Sequence, residues 1–81
     1  MPQIVVNPGT QGTLGGAGTH LEVKNDTDVK GEYNVNSAGA VPPPHRNVYI
    51  FPRTKEDWTV VANTPATVDN IGKTTLIATR Y

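Results

Sequence analysis

Cysteine is absent from this 81-residue chain, and with it go disulfide staples, thiolate metal ligands and thiol nucleophiles. Histidine occurs twice, at His20 and His45, too rarely for a histidine-rich metal site. Serine occurs once, at Ser37. A hydroxyl nucleophile needs a histidine base oriented by a carboxylate, and the nearness of Ser37 to His45 in sequence defines no such geometry. The expectation is a protein that is not an enzyme and carries no metal or cofactor. An excess of charge is missing too: Lys and Arg number 7, Asp and Glu number 7, and the two signs are scattered. Nucleic-acid modules need a basic face that neutralises phosphates, and anionic bilayers attract polybasic segments, so neither partner is expected. No apolar run approaches the roughly 20 residues of a membrane-spanning helix, so no membrane insertion is expected. Residues 1–6 lack the positive and long apolar regions of a signal peptide. Cytosolic, virion-associated and mature secreted locations all stay open.

Large apolar side chains are scarce as well. The chain has one Phe, one Trp and one Met, and valine supplies much of the remaining bulk. A chain of this size buries only roughly 60–65% of the surface its unfolded form exposes. Without disulfides or a metal, self-association is a physical route to further burial. A homo-oligomer is therefore the expected state, of a single domain spanning 1–81.

What is present is β-branched. The stretch from Trp58 to Tyr81 holds apolar runs at 58–62 and 74–81, separated by the turn residues Asn63, Thr64 and Pro65 and a weaker strand at 66–68. Residues 4–6 form a short strand closed by Asn7, Pro8 and Gly9. Residues 21–24 and 29–35 alternate, with Val29, Tyr33 and Val35 on one face, and the four-residue turn between them predicts a hairpin. Residues 48–51 are apolar on both faces and read as the most central strand. Residues 53–57 read as a charged loop or a single helical turn. Residues 9–18 are glycine-rich and predict a flexible loop or an arm. Pro42, Pro43 and Pro44 stiffen a crossover at 41–47. The sum is an all-β fold, a small antiparallel β-sandwich of about six or seven short strands, with a small open β-barrel as the alternative. Adhesion, coat and carbohydrate-binding sandwiches share such a layout, which names no family.

Three strings resemble ligand motifs and fail on context. Gly72, Lys73, Thr74 and Thr75 resemble a phosphate loop, but Thr67 stands where the first glycine belongs and a strand follows instead of a helix. The glycines of 9–18 lack the strand–loop–helix setting of a dinucleotide site. Asp26, Asp28 and Glu32 echo a calcium loop, yet Lys30 occupies a ligand position and Ser37 replaces the closing glutamate. Two surfaces remain as candidates. His45, Arg46, Asn47, Tyr49 and Trp58 combine aromatic faces with polar donors, as a carbohydrate or peptide platform does. The alternate residues Thr75, Ile77, Thr79 and Tyr81 make one face of a final strand, which is either an edge that invites pairing with another subunit or an interior strand of the same domain. The leading expectation is a structural or assembly module of a virion, coat, filament or accessory component. A lectin-like or peptide-binding domain is the alternative.

Overall fold

The computed structural model of the protein describes residues 3–37 and 45–81. Among them the chain forms strands and no helix: β1 (Gln3–Val6), β2 (Gln11–Leu14), β3 (His20–Asn25), β4 (Gly31–Ser37), β5 (His45–Ile50), β6 (Thr54–Thr59), β7 (Ala66–Asn70) and β8 (Leu76–Arg80). Two four-stranded antiparallel sheets, ordered β1-β8-β3-β6 and β2-β7-β4-β5, pack face to face as a small β-sandwich. The pairs β1–β8, β2–β7, β3–β6 and β4–β5 nest inside one another. The chain is thus one long antiparallel ribbon, folded at β4–β5 and rolled so that every other connection passes between the sheets. That is jelly-roll winding.

Period-two alternation supplies the core. Leu21 and Val23 of β3, Tyr33 and Val35 of β4, Ala66 and Val68 of β7, and Leu76 and Ala78 of β8 point inward and are buried. A fully buried Leu or Val side chain contributes about 1.5–3 kcal/mol. The inner residues of the two sheets thus close a core within one subunit.

The winding corrects the local expectations. β3 and β4 do not form a hairpin: β3 pairs with β6 and β8, and β4 with β5 and β7. The reason is the buried Asn25. Its amide donates to Val29 O (2.7 Å) and Ile50 O (3.3 Å), and its Oδ1 accepts from Thr27 N (3.0 Å) and Thr27 Oγ1 (2.6 Å). This side chain takes over bonds that a hairpin partner would make, and the corner carries the chain from one sheet to the other. Val29 therefore sits exposed in the corner rather than beside Tyr33. Residues 48–51 are not the central strand either, because β5 lies at a sheet edge. Val48 and Ile50 turn towards the core, while Tyr49 and Phe51 are exposed. Residues 54–57, expected as a loop or helical turn, belong to β6, where pairing with β3 overrides their weak strand propensity. β8 is flanked by β1 and β3, so it offers no free edge.

A second regularity was not anticipated. The turn Asn7, Pro8, Gly9, Thr10 recurs 44 positions on as Phe51, Pro52, Arg53, Thr54. In both, the third residue has positive φ (77° and 59°), and the threonine hydroxyl donates back to the carbonyl of the first residue, at 2.6 and 2.7 Å. Asn25 likewise has a counterpart in Asn70, whose amide donates to Val6 O (2.8 Å) and Thr74 O (2.7 Å). Shifting every strand number by four carries each sheet onto the other. The topology is thus two four-strand halves that exchange under this shift, and the Thr27 and Thr74 hydroxyls join the paired corners at 2.6 Å.

Arg80 closes one end. It ends the inward row of β8, is 1% exposed, and donates to five backbone carbonyls: Nε to Gly18, one terminal nitrogen to Leu14 and Thr64, the other to Gly16 and Val61. A guanidinium has five N–H donors in a fixed fork, and each has an acceptor here. The stretch 9–18, expected as a flexible loop or arm, thus contains β2 and a connection gathered around this cation. Gly16 has φ 143°, and a Cβ on Gly18 would lie 2.5 Å from the Tyr81 carbonyl, so glycine lets the backbone approach.

Candidate functional site

Of the expected carbohydrate or peptide platform, the described side chains are Tyr49 and Trp58, and these two face different surroundings. The crossover expected at 41–47 lies outside the described residues up to Pro44, as do the side chains of His45, Arg46 and Asn47. Tyr49 points away from the sandwich, and the Lys30 ammonium lies 4.4 Å from its ring centroid. Trp58 is half-buried against the core from edge strand β6. It meets Tyr33 edge-on at 6.3 Å, and its indole N–H donates to the Tyr33 hydroxyl at 3.0 Å. That hydroxyl donates in turn to Glu56 Oε1 at 3.1 Å. Tyr33 thus spans the sandwich from one sheet to the edge of the other.

Burial keeps the Tyr33 phenol protonated well above the ordinary tyrosine value of 10.0, reinforced by the Glu56 carboxylate and opposed by the Trp58 bond. A folded-state pKa above the unfolded one gives stability that is complete below about pH 10 and declines as pH rises past it. Urea midpoints should therefore fall between about pH 10 and 12 in the wild type and fall less steeply in Tyr33→Phe. Equal slopes in the two proteins would remove Tyr33 as the cause.

Of the expected interface row, Thr75, Ile77 and Thr79 lie half-buried on the outer face of the first sheet, and Tyr81 follows on the same side. Thr79 stands in register with Gln3 on β1 and Glu22 on β3, and Glu22 with Asp57 on β6. Two carboxylates thus face each other on neighbouring strands, which costs repulsion unless each has a partner. Lys55 Nζ lies 3.7 Å from Glu22 Oε2, and the Tyr81 hydroxyl donates to Asp57 Oδ1 at 2.6 Å. The Asp57 bond raises the Tyr81 pKa. The Tyr81 ring stacks on His20, with centroids 5.0 Å apart and planes within 15°. Gln3, Glu22, Thr79 and Tyr81 line a shallow groove of about 470 Å³. Sequence reasoning grouped Thr79 and Tyr81 but missed Gln3, Glu22 and His20, because only strand pairing places them alongside.

A second surface lies where the outer face of β4 and β5 meets the two asparagine corners. Val29, Tyr49 and Ile71, which are 53%, 53% and 41% exposed, line a depression of about 200 Å³ with Lys30, Glu32 and Lys73 at its rim. Phe51, 65% exposed, follows Ile50, whose carbonyl shares the Asn25 amide with that of Val29. The available signal was an apolar residue inside each polar turn, Val29 before Lys30 and Ile71 before Gly72 and Lys73.

Beside these corners Arg53 lies against two of the three carboxylates that echo a calcium loop. Its Nε donates to Asp28 Oδ1 at 2.9 Å, and Nη1 lies 3.7 Å from Asp26 Oδ1, so the cation at these two carboxylates is the chain's own guanidinium. Among the described residues no cluster of three or more His, Asp or Glu side chains is arranged to hold a metal ion. No helix among them is long and apolar enough to cross a membrane. Compared with protein-family models, curated proteins and solved structures, the chain matches none of them.

Proposed function

We propose that the protein is a non-enzymatic assembly module that self-associates through the apolar corner formed by Val29, Tyr49, Phe51 and Ile71. The supporting observation is the exposure of three large apolar side chains, Val29, Tyr49 and Ile71, around one depression, with Phe51 exposed two residues beyond Tyr49, in a chain with few such side chains to spare. Contiguous apolar surface of this kind marks association sites on small soluble domains. The rim carries Lys30 and Lys73 beside Glu32, so a twofold contact would bring the carboxylate of one copy to a lysine of the other. This assigns self-association to a corner of the sandwich rather than to β8, whose edges are both occupied. The edge strand β6 carries Lys55, Glu56 and Asp57, charges that discourage strand addition there.

Light scattering across a dilution series tests the reading. The wild type should give a discrete multiple of the 8.7 kDa subunit at micromolar concentration, and Phe51→Asp should shift it to 8.7 kDa. Phe51 is exposed, so the substitution should leave monomer stability within about 0.5 kcal/mol. A wild type that stays monomeric at millimolar concentration, or a Phe51→Asp protein that keeps the same mass, sinks the proposal.

A further inference from the structure

We infer that the groove on the outer face of the first sheet is a binding site for a neutral saccharide, independent of the assembly surface. The argument starts from register. Gln3, Thr79 and Glu22 lie side by side on β1, β8 and β3, so their side chains span about two strand spacings, roughly 10 Å. The row offers an amide that donates and accepts, a hydroxyl that does both, and a carboxylate that accepts. Sugar hydroxyls need such mixed partners. At one end stands the Tyr81 ring, which lines the groove and supplies an apolar aromatic surface for the C–H side of a pyranose.

Tyr81 is also fixed before any ligand arrives. Its hydroxyl is tied to Asp57 at 2.6 Å, and its ring is stacked on His20 at 5.0 Å. A ring held at both positions has little rotamer freedom left to lose on binding, which favours affinity in a shallow site. The groove volume of about 470 Å³ falls within the range of small-molecule sites, roughly 300–1,000 Å³.

Charge decides the ligand class. The Glu22 carboxylate is answered by Lys55 at 3.7 Å, and the next register row places Lys24 opposite Lys55. Two acids, Glu22 and Asp57, therefore stand against two lysines, and the face has no net attraction for an anion or a cation. A peptide could not add as a strand on this floor, because β8 and β3 are each paired on both sides and their backbone groups are already used. A neutral polyhydroxylated ring is the ligand that fits an aromatic surface, mixed polar groups and balanced charge.

The test is a backbone amide NMR titration of the whole chain with glucose, galactose, N-acetylglucosamine and lactose. The expected result is that at least one sugar shifts the amides of Gln3, Glu22, Thr79 and Tyr81, with a Kd of about 1 mM. Tyr81→Ala should weaken that binding about tenfold. Gln3→Ala, at an exposed position, should weaken it severalfold while the spectrum keeps its native dispersion. Absence of shifts with all four sugars overturns the inference, as does binding that Tyr81→Ala and Gln3→Ala leave unchanged. Tighter binding of glucose 6-phosphate or glucosamine than of glucose overturns the assignment to a neutral ligand.

Discussion

Arg80→Ala is expected to lower the unfolding free energy by about 4 kcal/mol, the largest effect of any single substitution considered for this chain. The native guanidinium is 1% exposed and gives each of its five N–H groups a backbone carbonyl, from Leu14, Gly16 and Gly18 on one connection and Val61 and Thr64 on the other. Truncation removes the side chain that gathers all five carbonyls, leaving the two connections bridged by Asn63 N to Gly16 O and Val60 N to Thr19 O. Gly16 O keeps a bond from Asn63 N, and Val61 O keeps bonds from Thr64 N and Oγ1. The loss therefore falls mainly on Gly18 and Thr64. A domain of this size has a total stability of about 4–12 kcal/mol, so the variant should stand near its unfolding threshold at 37 °C. Arg80→Lys should recover only a minor part, since an ammonium has three donors at one point rather than five in a fork. Urea denaturation of the three proteins measures this. A loss below about 1 kcal/mol for Arg80→Ala would mean that water replaces the guanidinium without cost.

The second large effect is expected at the two corner asparagines, and the two should not be equal. Asn70→Ala strips partners from Val6 O, Thr74 O and Gly72 N, and its two amide bonds are buried. The expected loss is about 3 kcal/mol. Asn25→Ala exposes groups that are nearer to solvent, Thr27 and Val29 among them, and should cost about half as much. Asn70→Asp should be worse than Asn70→Ala. It keeps the acceptor but sets a second carboxylate oxygen against two carbonyls that now lie 2.8 and 2.7 Å from an N–H donor. Val6 ends β1, a four-residue edge strand paired only with β8, so hydrogen exchange in β1 should speed up in the Asn70 variants before the core opens. Equal losses at Asn25 and Asn70 would show that burial does not set the cost.

How these side chains read in sequence explains what was legible. Alternation at 21–24 and along the last strand fixes which residues share a face, because a strand's period of two depends only on its own backbone. That Thr75, Ile77, Thr79 and Tyr81 share one face and Leu76 and Ala78 the other followed from that alone; which face is buried did not. Asn25 and Asn70 looked like ordinary turn residues. Their burial comes from strands distant in sequence, β5 for one and β1 for the other, whose last carbonyls they bind. Nothing in the sequence marks Arg80 for burial, and only the approach of two loops surrounds it with carbonyls. The pairs Gln3–Thr79 and Glu22–Asp57 have no local signature, since register between strands is set by the winding of the whole ribbon.

The sequence by itself therefore determined the class of the fold, the absence of cysteine, the balance of charge and which residues of the alternating strands share a face. These follow from composition and from a period that each short segment carries within itself. The tertiary structure alone decided that β3 and β4 belong to different sheets, that β8 is interior, and that Tyr49 and Trp58 face different surroundings. It also decided that Gln3, Glu22, Thr79 and Tyr81 share one groove. Those outcomes depend on which strands meet, and in a fold made almost wholly of long-range pairs that choice is made by the core as a whole.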